Sequence, residues 1–218
     1  MAQKPAPDQS PPDLSVDAAP LLEAEGTAPA LVIACGALAR EIVEFRAANG
    51  FRHLDIACLP AKLHNRPQLI AEAVREKIRA HKAKYRSIFV AYGDCGTGGD
   101  LDKVLAEEGV ERIGGPHCYA FYTGQAAFEA ITDEDPTSFF LTDYMVRHFD
   151  RLIIEGLGLD RFPDLLNDYF GNYTNVIYIA QAAAERLGLG YVYRFVGFGE
   201  LGDFLNMAAA EKEKSLAP

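Results

Sequence analysis

The chain has no excess of basic residues. Asp and Glu number 31 against 21 Lys and Arg, a formal net charge of −10 over 218 residues. Nucleic-acid surfaces are built from basic patches, so this balance argues against a nucleic-acid partner. There is also no apolar run near the roughly 18 residues that a membrane span requires. The opening stretch, MAQKPAPDQSPPDLSVDAAP, lacks the continuous apolar core of a secretory signal. These absences predict a cytoplasmic protein with no membrane partner. Cysteine is scarce, four in all. That is too few for a disulfide scaffold at this length, so any grouping among them points to metal or redox chemistry. A G-x-S-x-G elbow, an HExxH helix and a P-loop are all missing, which removes the commonest hydrolase, metalloprotease and nucleotidase signatures.

What the chain does have is apolar content, 49%, enough to bury a sizeable core. Residues 1–28 are rich in Pro, Ala and Asp and predict a disordered tail. Residues 29–218 read as a single α/β domain. ALVIACG (30–36) and HLDIACLP (53–60) suit buried strands. SIFVAYG (87–93) is a third, and VERIGG (110–115) a weak fourth. Between them lie amphipathic helices: Leu38, Ile42 and Phe45 share one face, and Ile70, Val74 and Ile78 another, after a helix start near Pro67. Residues 99–108 read as a further helix, and CYAFYTGQAAFEAI as one more. This alternation predicts a doubly wound, mainly parallel sheet flanked by helices.

The second half reads as more helical. DYMVRHFDRLIIEGLG is a helix capped by Thr142, FPDLLNDYFG a short one, and NVIYIAQAAAERLGLG a helix ending at Gly188. YVYRFVG is a strand candidate, and LGDFLNMAAAEKEK a closing helix.

Ligand-type residues fall at successive strand ends: Cys35 after the first strand, His64 after the second, Cys95 after the third and Cys118 after the fourth. In a parallel sheet these loops share the carboxyl edge, where open α/β sheets bind ligands. Three thiols and an imidazole are a good donor set for Zn²⁺, and the same soft ligands serve iron or an iron–sulfur cluster. Cys58 lies within a strand among apolar neighbours and reads as core. Asp94 and His117 flank the proposed ligands and are candidates for proton transfer, with His117 also an alternative ligand. His53, His81 and His148 read as structural or solvent-facing. The loop YGDCGTGGD offers a second reading. Gly96, Gly98 and Gly99 can turn their amides toward an anion before a helix, and Tyr92, Tyr119 and Tyr122 can line a pocket beside them. Asp100 and Asp102 at the helix start oppose that anion.

The blocks VIACGAL, LHNRPQLI, YGDCGTGG and CYAFYTG resemble those of an uncharacterised prokaryotic family, classed as a domain of unknown function. Its members often read ACG, LHxxP, YGxCG and HDC in that order. The resemblance covers roughly residues 30–200 and implies Cys35, His64, Cys95 and Cys118 as its shared residues. The chain departs at Pro116-His117-Cys118, where His117 stands in the place more often held by Asp. Genes of that family often neighbour corrinoid proteins and trimethylamine-type methyltransferases. The resemblance therefore implies a part in one-carbon methyl transfer: a metal-dependent methyltransferase or methyltransferase component acting on a small-molecule substrate, with a corrinoid or tetrahydrofolate carried by a partner. Alternatives are a non-enzymatic accessory factor of a corrinoid protein with a structural metal, and a folate- or nucleotide-binding enzyme using the glycine loop.

Overall fold

The computed structural model describes residues 21–22, 30–179 and 199–210. Its central sheet holds five strands in the order β1-β3-β2-β4-β5: β1 Leu21–Leu22, β2 Ala30–Cys35, β3 Leu54–Leu59, β4 Ser87–Ala91 and β5 Glu111–Arg112. β2 is parallel to both β3 and β4, and β4 to β5, so the expected mainly parallel α/β sheet is present. The sequence explains the parallel centre. ALVIAC and LDIACL are buried at every position, as strands covered on both faces must be. The covers are α1 Ala39–Ala48, α2 Ile70–His81 and α3 Asp100–Glu108. α2 turns Ile70, Val74 and Ile78 inward, as its spacing predicts. The last helix, named α8 below, spans Gly199–Ala210, and its Leu201, Phe204, Leu205 and Ala208 enter the same core.

Several expectations are corrected by the structure. β1 lies inside the stretch read as a disordered tail and pairs antiparallel with β3, Leu21 opposite Ala57. The helix expected across CYAFYTGQAAFEAI is two helices, α4 Ala120–Thr123 and α5 Gln125–Glu134, because Gly124 between them takes φ +80°. The long helix expected after Thr142 is broken as well. Thr142 caps α6 Asp143–Arg147 by accepting from the Met145 amide, and the chain continues as a π-helical turn over Asp150–Ile154. The largest difference is at NVIYI. It was expected to open a helix, but forms β7 Asn175–Ile179, parallel to β6 Ser138–Thr142 in a second, two-stranded sheet. Branched and aromatic residues favour a strand there, and β6 supplies the partner. The short helix expected at FPDLLNDYFG is α7 Leu165–Phe170. The strand expected at YVYRFVG, and the 180–188 part of the expected helix, lie outside the described residues.

Candidate metal centre at the carboxyl edge

The residues at the four strand ends, Cys35, His64, Cys95 and Cys118, meet at the same edge. Cys35 is the last residue of β2 and caps a 3-10 turn, its sulfur accepting from the Ala37 amide at 3.4 Å. His64 stands in the 3-10 turn Ala61–Asn65 that follows β3. Its Nδ1 lies 3.2 Å from the Ala61 carbonyl and 3.8 Å from Cys35 Sγ. Cys118 follows β5 just before α4 and is buried. One donor atom from each of Cys35, His64 and Cys118 lies within 4.8 Å of the other two. That is close enough to hold a metal ion. For zinc at ordinary bond lengths a sulfur–nitrogen edge is about 3.6 Å, so the Cys35–His64 separation needs only a small adjustment.

Cys95 stands outside that closest trio but touches it, with its sulfur 3.4 Å from Cys118 Sγ. It is the one non-glycine residue at positive φ among the described residues, +49°. Such a conformation strains a β-carbon-bearing residue and persists only where surroundings enforce it. Two bonds do so: the Asp94 amide donates to the Gly115 carbonyl at 2.9 Å and the Cys95 amide to the Pro116 carbonyl at 2.8 Å. They tie the loop after β4 to the loop before Cys118. The approach is so tight that a β-carbon on Gly93 would fall 2.7 Å from the His117 carbonyl carbon and 2.9 Å from the Cys118 nitrogen.

The electrostatics favour thiolates at Cys35 and Cys95. At Cys35, burial works against ionisation, but the hydrogen bond with Cys118 and the charge of His64 outweigh it and bring the thiol down to about 5. At Cys95 the hydrogen bond with Cys118 acts first, against burial, and with help from His117 and His64 lowers the thiol to about 3. Burial opposes the charge on His64, yet the Cys35 thiolate more than compensates and holds the imidazolium well above its ordinary range. Cys118 moves the other way, upward, because it is buried and shares hydrogen bonds with two sulfurs that take the charge. Cys58 sits inside β3, and burial pushes its thiol up to about 12, in keeping with a core residue.

The neighbours proposed from sequence have distinct places. Asp94 points into its own loop: it accepts from Thr97 Oγ1 at 2.6 Å and from the Gly99 and Gly98 amides at 2.9 and 3.2 Å. Gly96 also donates to it. The carboxylate therefore stands where an external anion would otherwise meet the amides of Gly96, Gly98 and Gly99. The positive φ of these three glycines serves that internal turn. His117 is half-buried and stacks on Tyr119 at 5.0 Å. Tyr92 is fully buried and stacks on His64 at 6.1 Å. Its hydroxyl has no hydrogen-bond partner among the described residues. Burial, then the nearby Cys35, Cys118 and Cys95, raises that hydroxyl well above its usual value.

Beside His64 and Cys118 opens a cavity of about 100 Å³. Its apolar walls include Ala37, Leu38, Ala61, Met145, Leu152 and Ile153. Tyr119 and Tyr122 line it as expected, but Thr142, Tyr144 and Asn65 were not foreseen. Tyr144, Met145, Leu152 and Ile153 come from the segment expected to form one long helix. One further residue escaped the sequence reading. Glu41 on α1 has its Oε2 buried with no partner among the described residues. Burial pushes this carboxyl up to about 7, against the hydrogen bonds from its own backbone and from Tyr122. A signal was present: Glu41 stands three residues after Leu38 and four before Phe45, on the helix stripe that faces the core.

A protein-family model described as "Protein of unknown function (DUF1638)" matches residues 58–198, a span that holds His64, Cys95 and Cys118 and begins after Cys35. No curated protein and no solved structure matches the chain.

Proposed function

The chain belongs to the DUF1638 family of proteins of unknown function, and we propose that within it Cys35, His64 and Cys118 hold a zinc or iron ion that acts on a small substrate. The convergence of their donor atoms within 4.8 Å, from three separate loops, carries this reading. Two thiolates and an imidazole select a soft or borderline ion over magnesium or calcium. Three protein ligands leave a fourth position, the arrangement of catalytic rather than structural zinc. The cavity beside His64 and Cys118 gives that position something to act on.

The finer role is one-carbon methyl transfer linked to a corrinoid protein. What supports it is the resemblance of the ACG, LHxxP and YGxCG blocks alone; the cavity of about 100 Å³ is too small for a corrinoid or a tetrahydrofolate. In this reading the large cofactor belongs to a partner methyltransferase or corrinoid protein, and only the small methyl-bearing substrate enters the cavity. Co-purification with a corrinoid protein tests the partner.

A second reading is favoured by one distance. With its sulfur 3.4 Å from Cys118, Cys95 can serve as a fourth ligand and close the site into a structural one. Elemental analysis after anaerobic purification tests both, with about one metal per chain expected and a large loss in Cys118→Ser and His64→Ala. X-ray absorption then separates the two: three sulfurs mark the closed site, and two sulfurs with an exchangeable light atom mark the open one. Absence of stoichiometric metal, or unchanged metal in both variants, refutes the metal centre.

A further inference from the structure

Two sulfurs at this edge meet although the closest trio of donors includes only one of them. Cys95 Sγ lies 3.4 Å from Cys118 Sγ, and Cys95 stands outside the trio. A disulfide bond is about 2.05 Å long, so closure asks each sulfur to move by about 0.7 Å. The backbone is already placed for it. The Asp94 and Cys95 amides donate to the Gly115 and Pro116 carbonyls at 2.9 and 2.8 Å, which clamps the two loops beside the pair. The Gly93 amide donates to Cys118 Sγ at 3.4 Å and holds that sulfur against the loop of Cys95. Cys95 keeps φ +49° in a loop whose other positive-φ positions, Gly96, Gly98 and Gly99, are glycine. Holding a β-carbon there is a cost, and such strain gathers at sites of chemistry.

Both sulfurs are shielded from solvent, Cys95 at 6% and Cys118 at 3% exposure. Cys118 nevertheless lines the cavity of about 100 Å³, with His64 on the same wall. An apolar cavity of about 150 Å³ takes benzene, so this smaller one admits a molecule of a few non-hydrogen atoms and excludes a bulky one. A sulfur that a small oxidant can reach, with a second thiol touching it, is the arrangement in which a sulfenic acid is resolved to a disulfide. Cys35 is the rival partner, since its sulfur lies within 4.8 Å of Cys118. That sulfur is engaged elsewhere, accepting from the Ala37 amide and facing His64 Nδ1.

Resting on the metal reading above, we infer that Cys118 and Cys95 are a thiol–disulfide pair: hydrogen peroxide entering the cavity oxidises Cys118, Cys95 closes the disulfide, and the site releases its metal. The steps balance. The Cys118 sulfur gives an electron pair to one peroxide oxygen, the O–O bond breaks and hydroxide leaves, so Cys118 becomes a sulfenic acid. The Cys95 sulfur then attacks the Cys118 sulfur. The S–S bond forms, the S–O bond breaks, and the oxygen leaves as water with the proton of the Cys95 thiol. Each sulfur is oxidised by one electron, and the peroxide takes both. The thiolate is the metal ligand, so a sulfur tied into a disulfide no longer serves. An open site then falls to Cys35 and His64, and a site closed by Cys95 falls to the same two. A dithiol reductant reverses the change by exchange.

The test uses the full chain, loaded anaerobically with zinc and treated with an equimolar amount of hydrogen peroxide. All four cysteines start as free thiols. Two should be lost, and peptide mapping should join Cys95 to Cys118. A chromophoric chelator should register about one zinc released per disulfide formed. Dithiothreitol should restore the thiols and zinc binding. Cumene hydroperoxide, too bulky for the cavity, should react at least tenfold more slowly. Cys95→Ser leaves Cys118 without its resolving thiol, so dimedone added on denaturation should label Cys118 in that variant and not in wild type. Far-ultraviolet circular dichroism identifies a variant that has failed to fold, and the wild-type results stand without it. Failure of zinc to bind overturns the metal reading and this inference with it. Zinc bound with no disulfide formed, a bond to Cys35 or Cys58 instead, or zinc kept by the disulfide form overturns the inference alone. Equal rates for the two peroxides overturn entry through the cavity. No label on Cys118 in the folded variant overturns the order of the two sulfurs.

Discussion

Replacing Gly93 by alanine tests the idea that close approach of two loops builds the site. The added methyl carbon would meet three backbone atoms, His117 C at 2.7 Å and Cys118 N and His117 Cα at 2.9 Å each. Real β-carbons do not come that close, and backbone cannot swing aside as a side chain does. One loop must therefore retreat by several tenths of an ångström. The bonds at risk are those from Asp94 and Cys95 to Gly115 and Pro116, and the 3.4 Å contact from the Gly93 amide to Cys118 Sγ. Overpacking of this kind costs about 1–3 kcal/mol, and loss of one hydrogen bond adds about 1 kcal/mol. Gly98→Ala is the matched control. Its φ is +62° but nothing lies within 4 Å of the new carbon. It pays only backbone strain, about 1 kcal/mol. Urea unfolding and metal stoichiometry should therefore separate the two: Gly93→Ala loses more stability and most of its metal, and Gly98→Ala keeps its metal. The reasoning is refuted if Gly93→Ala retains full metal and lies within about 0.5 kcal/mol of wild type, the usual spread for harmless substitutions.

Other outcomes follow from the same structure. Asp55 is 2% exposed and accepts from the Tyr85 hydroxyl at 2.6 Å, so Tyr85→Phe should cost about 1–3 kcal/mol in chemical denaturation. The Glu41 carboxyl is raised to about 7. It stays protonated in the folded chain while the unfolded chain ionises above about pH 4.3, so stability should fall as pH rises from there to 7, by about 3 kcal/mol in all. Glu41→Gln should flatten that decline, as urea midpoints across the range would show. Asp102 moves the other way, its carboxyl held low first by the Arg112 hydrogen bond, against burial. The guanidinium bonds both carboxylate oxygens, at 2.6 and 2.9 Å. Its contribution is present above the ordinary carboxyl pKa and lost as pH falls through the lowered one. Arg112→Met should therefore destabilise at neutral pH and weaken the acid-induced loss below about pH 4.

The first half of the chain was readable because its elements are defined locally. β2 is an unbroken apolar run, β3 is interrupted only by Asp55, β4 is apolar after Ser87, and α2 repeats its core residues every four positions. A parallel sheet then forces the loops after successive strands onto one edge, so Cys35, His64 and Cys118 could be grouped without a local ligand spacing. The second half resisted for the opposite reason. NVIYI takes its structure from β6, 33 residues or more away in sequence, and no local pattern announces that pairing. Gly124 is ambiguous in the same way, since a glycine is tolerated inside a helix and breaks one only where its φ is taken positive. Tyr144, Met145, Leu152 and Ile153 of the cavity wall were lost with the long helix expected after Thr142. Glu41 lay on a visible stripe, but a lone acidic residue there gives no hint of Tyr122, which is 81 positions further along.

The donors also fix a timetable. Cys35 and Cys118 are 83 residues apart, and neither can meet the other until β2, β3, β4 and β5 have found their registers. A chain emerging from the ribosome thus carries Cys35 for the synthesis of most of a sheet with no partner for it. On the proposed metal reading, capture would be a late event that rewards only the correctly paired sheet, and pairings so distant in sequence are slow to form. An ion held there would join three loops that the sheet alone brings together, and stripping it should speed the unfolding of that edge before any other part of the molecule.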